Sequence, residues 1–112
     1  MTTAWAVTDE KVQAAIQKIV EVRHPRRIIL FGSYIRGDGG RDSDLDILVV
    51  TDEVVGGSRR ESVRIRRLLK GITMPMDILV ISERQLDEVA DVPGMIYREA
   101  LTHGEVVYES TR

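Results

Sequence analysis

An α/β or α+β domain, a small sheet with helices on it, is predicted by three features of the chain. Short apolar runs of strand length alternate with segments whose apolar residues recur at helical spacing. Glycine or proline punctuates most of the junctions between them. At one junction the apolar run Arg27-Ile-Ile-Leu-Phe31 stops at Gly32-Ser33, and Asp44-Leu-Asp46 opens the next run, Ile47–Val50. With 112 residues, a single domain is expected over positions 1–112, with room for one core and not two.

Composition narrows the function classes. Hydrophobic residues make up 43% and charged residues 30% of the chain, ordinary for a soluble globular domain. The net charge of −2 provides no global field toward nucleic acid or a membrane, so direct nucleic-acid binding is not expected. Cysteine is absent, which excludes disulfides and thiol chemistry and fits a reducing compartment. No apolar run approaches the ~20 residues of a membrane span, and the N-terminus lacks the basic-then-apolar pattern of a signal peptide. The cytoplasm is the expected location.

The elements follow in order. Thr8 can cap a first helix with Asp9 and Glu10 in its opening turn. Val12, Ala15, Ile16, Ile19 and Val20 form its apolar face, and Pro25 ends it. Trp5 reads as a staple or edge contact before that helix. The runs 27–31 and 47–50 are two buried strands. Gly56-Gly57 breaks the chain, and Ser58-Arg-Arg-Glu61 has the spacing of a capping box. The helix it opens, over 58–70, carries Ile65, Leu68, Leu69 and Ile72 on one side and Arg59, Arg60, Arg64, Arg66, Arg67 and Lys70 on much of the rest. The basic side suits a solvated face or a docking face for an acidic partner or RNA. Gly71 closes the helix, and Met76–Ile81 is a third strand. Ser82-Glu-Arg-Gln85 has capping-box spacing again, for a short helix to Val89. A last helix is expected over Gly94–His103, stopped by Gly104, followed by a short strand Val106–Tyr108.

The Gly32–Asp46 stretch has a chemistry of its own. Residues i and i+2 of a strand share a face, with Cα atoms about 6.6 Å apart, so Asp44 and Asp46 aim at one point. Two such carboxylates repel unless a cation lies between them. Hard oxygen ligands suit Mg²⁺, whose shell substrate phosphates complete. Gly32 lets backbone approach a ligand closely. Tyr34-Ile-Arg36, closed by Gly37, suggests a short helix opened by Ser33, whose N–H and hydroxyl could hold a phosphate oxygen. Arg36 could contact phosphate or pair with a local carboxylate. Asp38, Arg41 and Asp42 read as solvated loop charges. His24 and His103 read as structural or exposed, and no His-Cys zinc spacing occurs.

Gly32-Ser33, ten residues, then Asp44-x-Asp46, with Arg36-Gly37 and Ser43 in place, resembles the signature of the polymerase-beta-like nucleotidyltransferases. It is most similar to their shortest branch, the minimal nucleotidyltransferase (MNT) domains. That resemblance implies the family core, a small mixed sheet with flanking helices. It also implies a third carboxylate on a neighbouring strand, which Asp77 supplies, with Asp44, Asp46 and Asp77 holding two Mg²⁺. Gly32 and Ser33 would hold the β- and γ-phosphates of ATP as substrate, and Asp77 could take the proton of the attacking hydroxyl. Larger members grip their acceptor with an added helical domain; with these 112 residues filled by the core, a partner or a second copy is expected to grip it here. MNT domains typically accompany a helical HEPN protein as the antitoxin of a toxin–antitoxin pair, and some attach AMP to a tyrosine of the HEPN ribonuclease. The expected function is therefore metal-dependent AMP transfer from ATP to a hydroxyl of a protein partner. The alternative is a non-catalytic binding module that neutralises its partner by complex formation, with helix 58–70 as a contact. A small-molecule nucleotidyltransferase shares the chemistry but is weakened by the missing acceptor domain.

Overall fold

The computed structural model describes residues 5–40, 43–54 and 56–110. Their order is α1 (Asp9–Arg23), β1 (Arg27–Phe31), a one-turn α2 (Ser33–Arg36), β2 (Leu45–Thr51), α3 (Ser58–Leu68), β3 (Met76–Ser82), α4 (Glu83–Val89), α5 (Ile96–His103) and β4 (Glu105–Glu109). The strands form one four-stranded sheet in the order β3-β2-β1-β4. β1 runs antiparallel to both β2 and β4, while β2 and β3 are parallel and α3 makes the crossover between them. The sheet is thus mixed, with helices on both faces, as expected.

Alternation along the strands divides the core between those faces. Ile28, Leu30, Ile47, Val49, Ile78 and Val80 point to one side, where α1 contributes Ala15 and Ile19 and α3 contributes Ile65. Ile29, Phe31, Leu48, Val50 and Ile81 point to the other, against Leu86 of α4 and Ala100 of α5. Covered on both sides, β1 and β2 need the near-continuous apolar runs that the sequence displays.

Most boundaries agree with the sequence reading, and the differences have local causes. Thr8 caps α1, its hydroxyl accepting from the Lys11 N–H at 3.2 Å. His24 closes it in the left-handed conformation at φ 47°, one residue before Pro25. Trp5 is exposed, and Val7 packs on the core instead. The capping box at Ser58 does not form: Gly57 is the cap residue, without a side-chain bond, and Ser58 is already helical. Glu61, expected to reach back to the helix start, is instead 1% exposed and pairs with Arg23 of α1 and Arg64. At Ser82 the cap does form, the hydroxyl accepting from the Gln85 N–H at 3.1 Å. α3 ends at Leu68, with Leu69 and Lys70 in the turn that follows, and α5 starts at Ile96 rather than Gly94. Among the described residues no helix is long and apolar enough to cross a membrane.

Candidate active site

Strand register brings the aspartates together. β2 and β3 are parallel with Asp46 opposite Asp77, and across β1 Asp46 faces Phe31, the last residue before Gly32. Asp46 shares the face of Leu48 and Val50, and Asp77 that of Leu79 and Ile81, so both side chains point toward the α4–α5 layer. Asp44 immediately precedes β2, and its charge acts on Asp46. Neighbouring strands lie about 4.8 Å apart. Three carboxylates therefore gather at one end of the sheet; Asp44 and Asp77 are exposed and Asp46 is half-buried.

The Gly32-Ser33 turn is fitted to this cluster atom by atom. Gly32 has φ 95°, and a Cβ there would stand 2.6 Å from Asp46 Oδ2 and 3.1 Å from the Asp44 carbonyl oxygen. No other residue satisfies both the backbone angle and the space. Ser33 Oγ accepts from the Asp44 N–H at 2.8 Å, and the Tyr34 N–H donates to the Asp44 carbonyl at 2.9 Å. The start of α2 thus holds the backbone of Asp44 on both sides. The Ser33 hydroxyl in turn donates to the Asp44 carbonyl oxygen at 3.5 Å, a long bond whose proton can turn toward another oxygen. The Tyr34 hydroxyl donates to Asp9 Oδ1 at 2.7 Å, anchoring α2 to the start of α1; that bond raises the Tyr34 pKa.

Two participants carry no legible sign in the sequence. Gly39 brings the loop against both serines: a Cβ would stand 2.8 Å from Ser43 Oγ and 2.9 Å from Ser33 Oγ. Glu99 of α5 receives Arg36 at 3.0 Å, and Asp38 takes the same guanidinium at 3.0 Å from its other side. Arg36 therefore pairs with a nearby and a distant carboxylate, and its pKa is raised, by Asp38 foremost. Asp38 is an exposed partner in that pair; Arg41 and Asp42 lie outside the described residues. His24 and His103 are exposed.

Electrostatics distinguish Asp46. Its carboxyl is pushed up to about 6, first by burial and then by the charges of Asp77, Asp44 and Glu99, which Arg36 only partly offsets. An acid in such company gains from a cation. Asp77 has a partial counterion in Arg66 at 3.7 Å. Among the described residues no group of three or more acidic, imidazole or thiol side chains is placed to hold a metal ion. The donor chemistry nonetheless fits a hard divalent cation: oxygen ligands alone, excess negative charge, and exposed side chains at Asp44 and Asp77.

Similarity to known proteins is concentrated in this architecture. The family described as "Polymerase beta, Nucleotidyltransferase" matches residues 11–112. A protein of Methanocaldococcus jannaschii named "putative protein adenylyltransferase" is 37% identical over 54 residues, 48% of this chain and 52% of that protein. A second protein of that organism with the same name is 63% identical over 27 residues, 24% of this chain and 27% of its own length. The chain thus spans about half the length, or less, of these curated relatives. A crystal structure of a "putative nucleotidyltransferase" from Sulfolobus solfataricus superposes with a TM-score of 0.62 at 19% identity, covering 89% of this chain and 78% of that one. At that identity the likeness concerns the fold.

Proposed function

The chain belongs to the polymerase beta nucleotidyltransferase family, and from that premise we propose that it transfers AMP from ATP to a hydroxyl group of a protein partner, a helical HEPN-type ribonuclease toxin that it thereby neutralises. One observation carries the transfer reading: a half-buried Asp46 pressed against Gly32 and flanked by Asp44 and Asp77, with more negative charge than its surroundings compensate. A surface turn has no physical need of that arrangement. The protein acceptor is supported by the names of the two Methanocaldococcus jannaschii relatives, and the HEPN partner by the resemblance to the MNT branch.

Asp44, Asp46 and Asp77 would hold two Mg²⁺, which supply charge neutralisation of the triphosphate and a lower pKa for the attacking hydroxyl. The chain's own groups do the rest. Gly32, without a side chain, lets the β- and γ-phosphates lie against backbone. Ser33 donates its hydroxyl proton to a phosphate oxygen while still accepting from the Asp44 N–H. Arg36 exchanges its two exposed carboxylate partners for phosphate. Asp77, on the open end of β3, accepts the proton of the acceptor hydroxyl as its oxygen bonds to the α-phosphorus and pyrophosphate leaves. Positioning and electrostatics carry such a reaction.

The test is thermal unfolding with ATP, GTP, CTP and UTP, each with Mg²⁺ or EDTA, beside the Asp44→Asn/Asp46→Asn variant. A ligand that binds the folded state raises the midpoint. The expected result is a Mg²⁺-dependent rise with ATP that the variant lacks, followed by label transfer from [α-³²P]ATP to a co-purified helical partner. No rise in either the isolated chain or its complex would sink the transferase reading and leave neutralisation by binding alone.

A further inference from the structure

The basic side of α3 is not balanced by the rest of the molecule. Positions 58–70 hold six of the sixteen basic residues and one of the eighteen acidic ones, leaving ten basic against seventeen acidic elsewhere. The single acid, Glu61, is buried beneath the helix and occupied by Arg23 and Arg64. Among the described residues Arg59, Arg60, Arg67 and Lys70 make no ion pair, and all four are exposed. A hollow lined by Gly56, Arg59, Arg60, Val63, Arg64 and Arg67 runs along this side. Val63, 42% exposed, is its apolar centre.

The position of α3 ties this face to the reaction. The helix lies along β3, at the edge of the sheet. From its last turn Arg66 reaches the Met76 carbonyl oxygen at 3.4 Å and Asp77 at 3.7 Å. A molecule lying along the 11 residues of α3, about 16 Å of helix, would end beside the carboxylate expected to accept the proton.

We propose that the exposed face of α3 is the docking surface for the acceptor protein, binding an acidic segment that sets a leucine-like side chain on Val63 and glutamates or aspartates against Arg59, Arg60, Arg67 and Lys70. This inference rests on the transferase reading and names what that reading leaves open, the feature that selects the acceptor. Three observations favour a protein segment over RNA. The centre of the patch is apolar, as at protein interfaces with a charged rim. No aromatic side chain lies on the exposed face of α3 to stack on a base. And the positive field is one helix long in an otherwise acidic chain, so a uniformly charged strand would run from it into the carboxylate cluster, whereas a short acidic segment ends with the patch.

The test uses three labelled probes in fluorescence anisotropy at near-physiological salt. They are an acidic helical peptide with one leucine and a terminal tyrosine, the same peptide with glutamine for every glutamate, and an oligouridine. Wild type is compared with Arg60→Glu/Arg67→Glu and with Val63→Ser, all shown by circular dichroism to be folded. The expected result is binding of the acidic peptide alone, about tenfold weaker in the charge-reversal variant and about threefold weaker in Val63→Ser. Peptide binding unchanged in both variants would mean a merely solvated face. Oligouridine binding more tightly than the peptide, and lost on charge reversal, would reassign the face to RNA. The Mg²⁺-ATP shift, measured on the same samples, separates the two proposals. Peptide docking with no nucleotide shift in either the isolated chain or its complex removes the transferase reading and leaves the docking face, and a shift without docking removes this proposal alone.

Discussion

Glu61 and Asp46 are both carboxylates drawn out of free solvent, and their surroundings are opposite. Glu61 is 1% exposed, with Arg23 from α1 and Arg64 from its own helix closing on its oxygens. Asp46 is only half-buried, yet its close neighbours include Asp44, Asp77 and Glu99, with Arg36 as the weaker opposing charge. The first cluster has its counter-charge within the chain, although among the described residues Arg23 Nε and Glu61 Oε1 make no hydrogen bond, and it joins two helices over one face of the sheet. The second is incomplete, and what it lacks is positive charge. A protein tolerates an acid in either setting, but only the second would gain stability from an added cation.

Breaking the incomplete cluster has the largest expected effect on function. Asp44→Asn/Asp46→Asn should abolish nucleotide transfer, read by label incorporation, together with the Mg²⁺-dependent thermal shift. In metal-free buffer the same variant should be as stable as wild type or more so, because like-charge repulsion is relieved; failure to fold would assign the pair a structural role.

Breaking the charge-balanced cluster should do the reverse, lowering stability and sparing the site. Arg23→Ala leaves a buried carboxylate with one partner. We expect a loss of about 3 kcal/mol in urea unfolding, at the low end for a broken buried pair because Arg64 remains. Gly32→Ala forces a Cβ into Asp46 Oδ2 at 2.6 Å and puts alanine at φ 95°; it should cost about 2 kcal/mol and also remove the nucleotide shift.

Titration sharpens the contrast. The Asp46 pKa is raised from 3.8 to about 6 on folding. Its stabilising contribution is therefore complete below about pH 3.8 and lost as pH rises through about 6. Without metal, the melting midpoint of wild type relative to Asp46→Asn should fall between pH 4 and 7, and Mg²⁺ should cancel the fall. A difference that stays flat across that range would mean that Asp46 is not held in acidic company. The smallest effect belongs to the exposed Arg36–Glu99 pair: Glu99→Gln should leave the urea midpoint at that of wild type in the same unfolding assay, because solvent screens the pair.

Much of the fold was legible because its signals are local. Strand Arg27–Phe31, the Thr8 and Ser82 caps and the one-turn α2 each depend on residues a few positions apart, and all occur where the chain suggests. The same holds for Gly32 with Asp44 and Asp46, a turn and a strand start joined by one loop. Local reasoning failed at Ser58, where capping-box spacing is present but burial beside Arg23 takes Glu61 away from the helix start.

By itself, then, the sequence determined which segments become strands and helices, and which residue types stand at the glycine-serine turn and the aspartate pair. Tertiary structure alone decided the sheet order β3-β2-β1-β4, the register that sets Asp77 beside Asp46, and the arrival of Glu99 on Arg36 from α5. The reason is range. Periodicity and capping act over a few residues, whereas strand register and the charge around a buried carboxylate depend on groups far apart in the chain, brought together only when both faces of the sheet are covered.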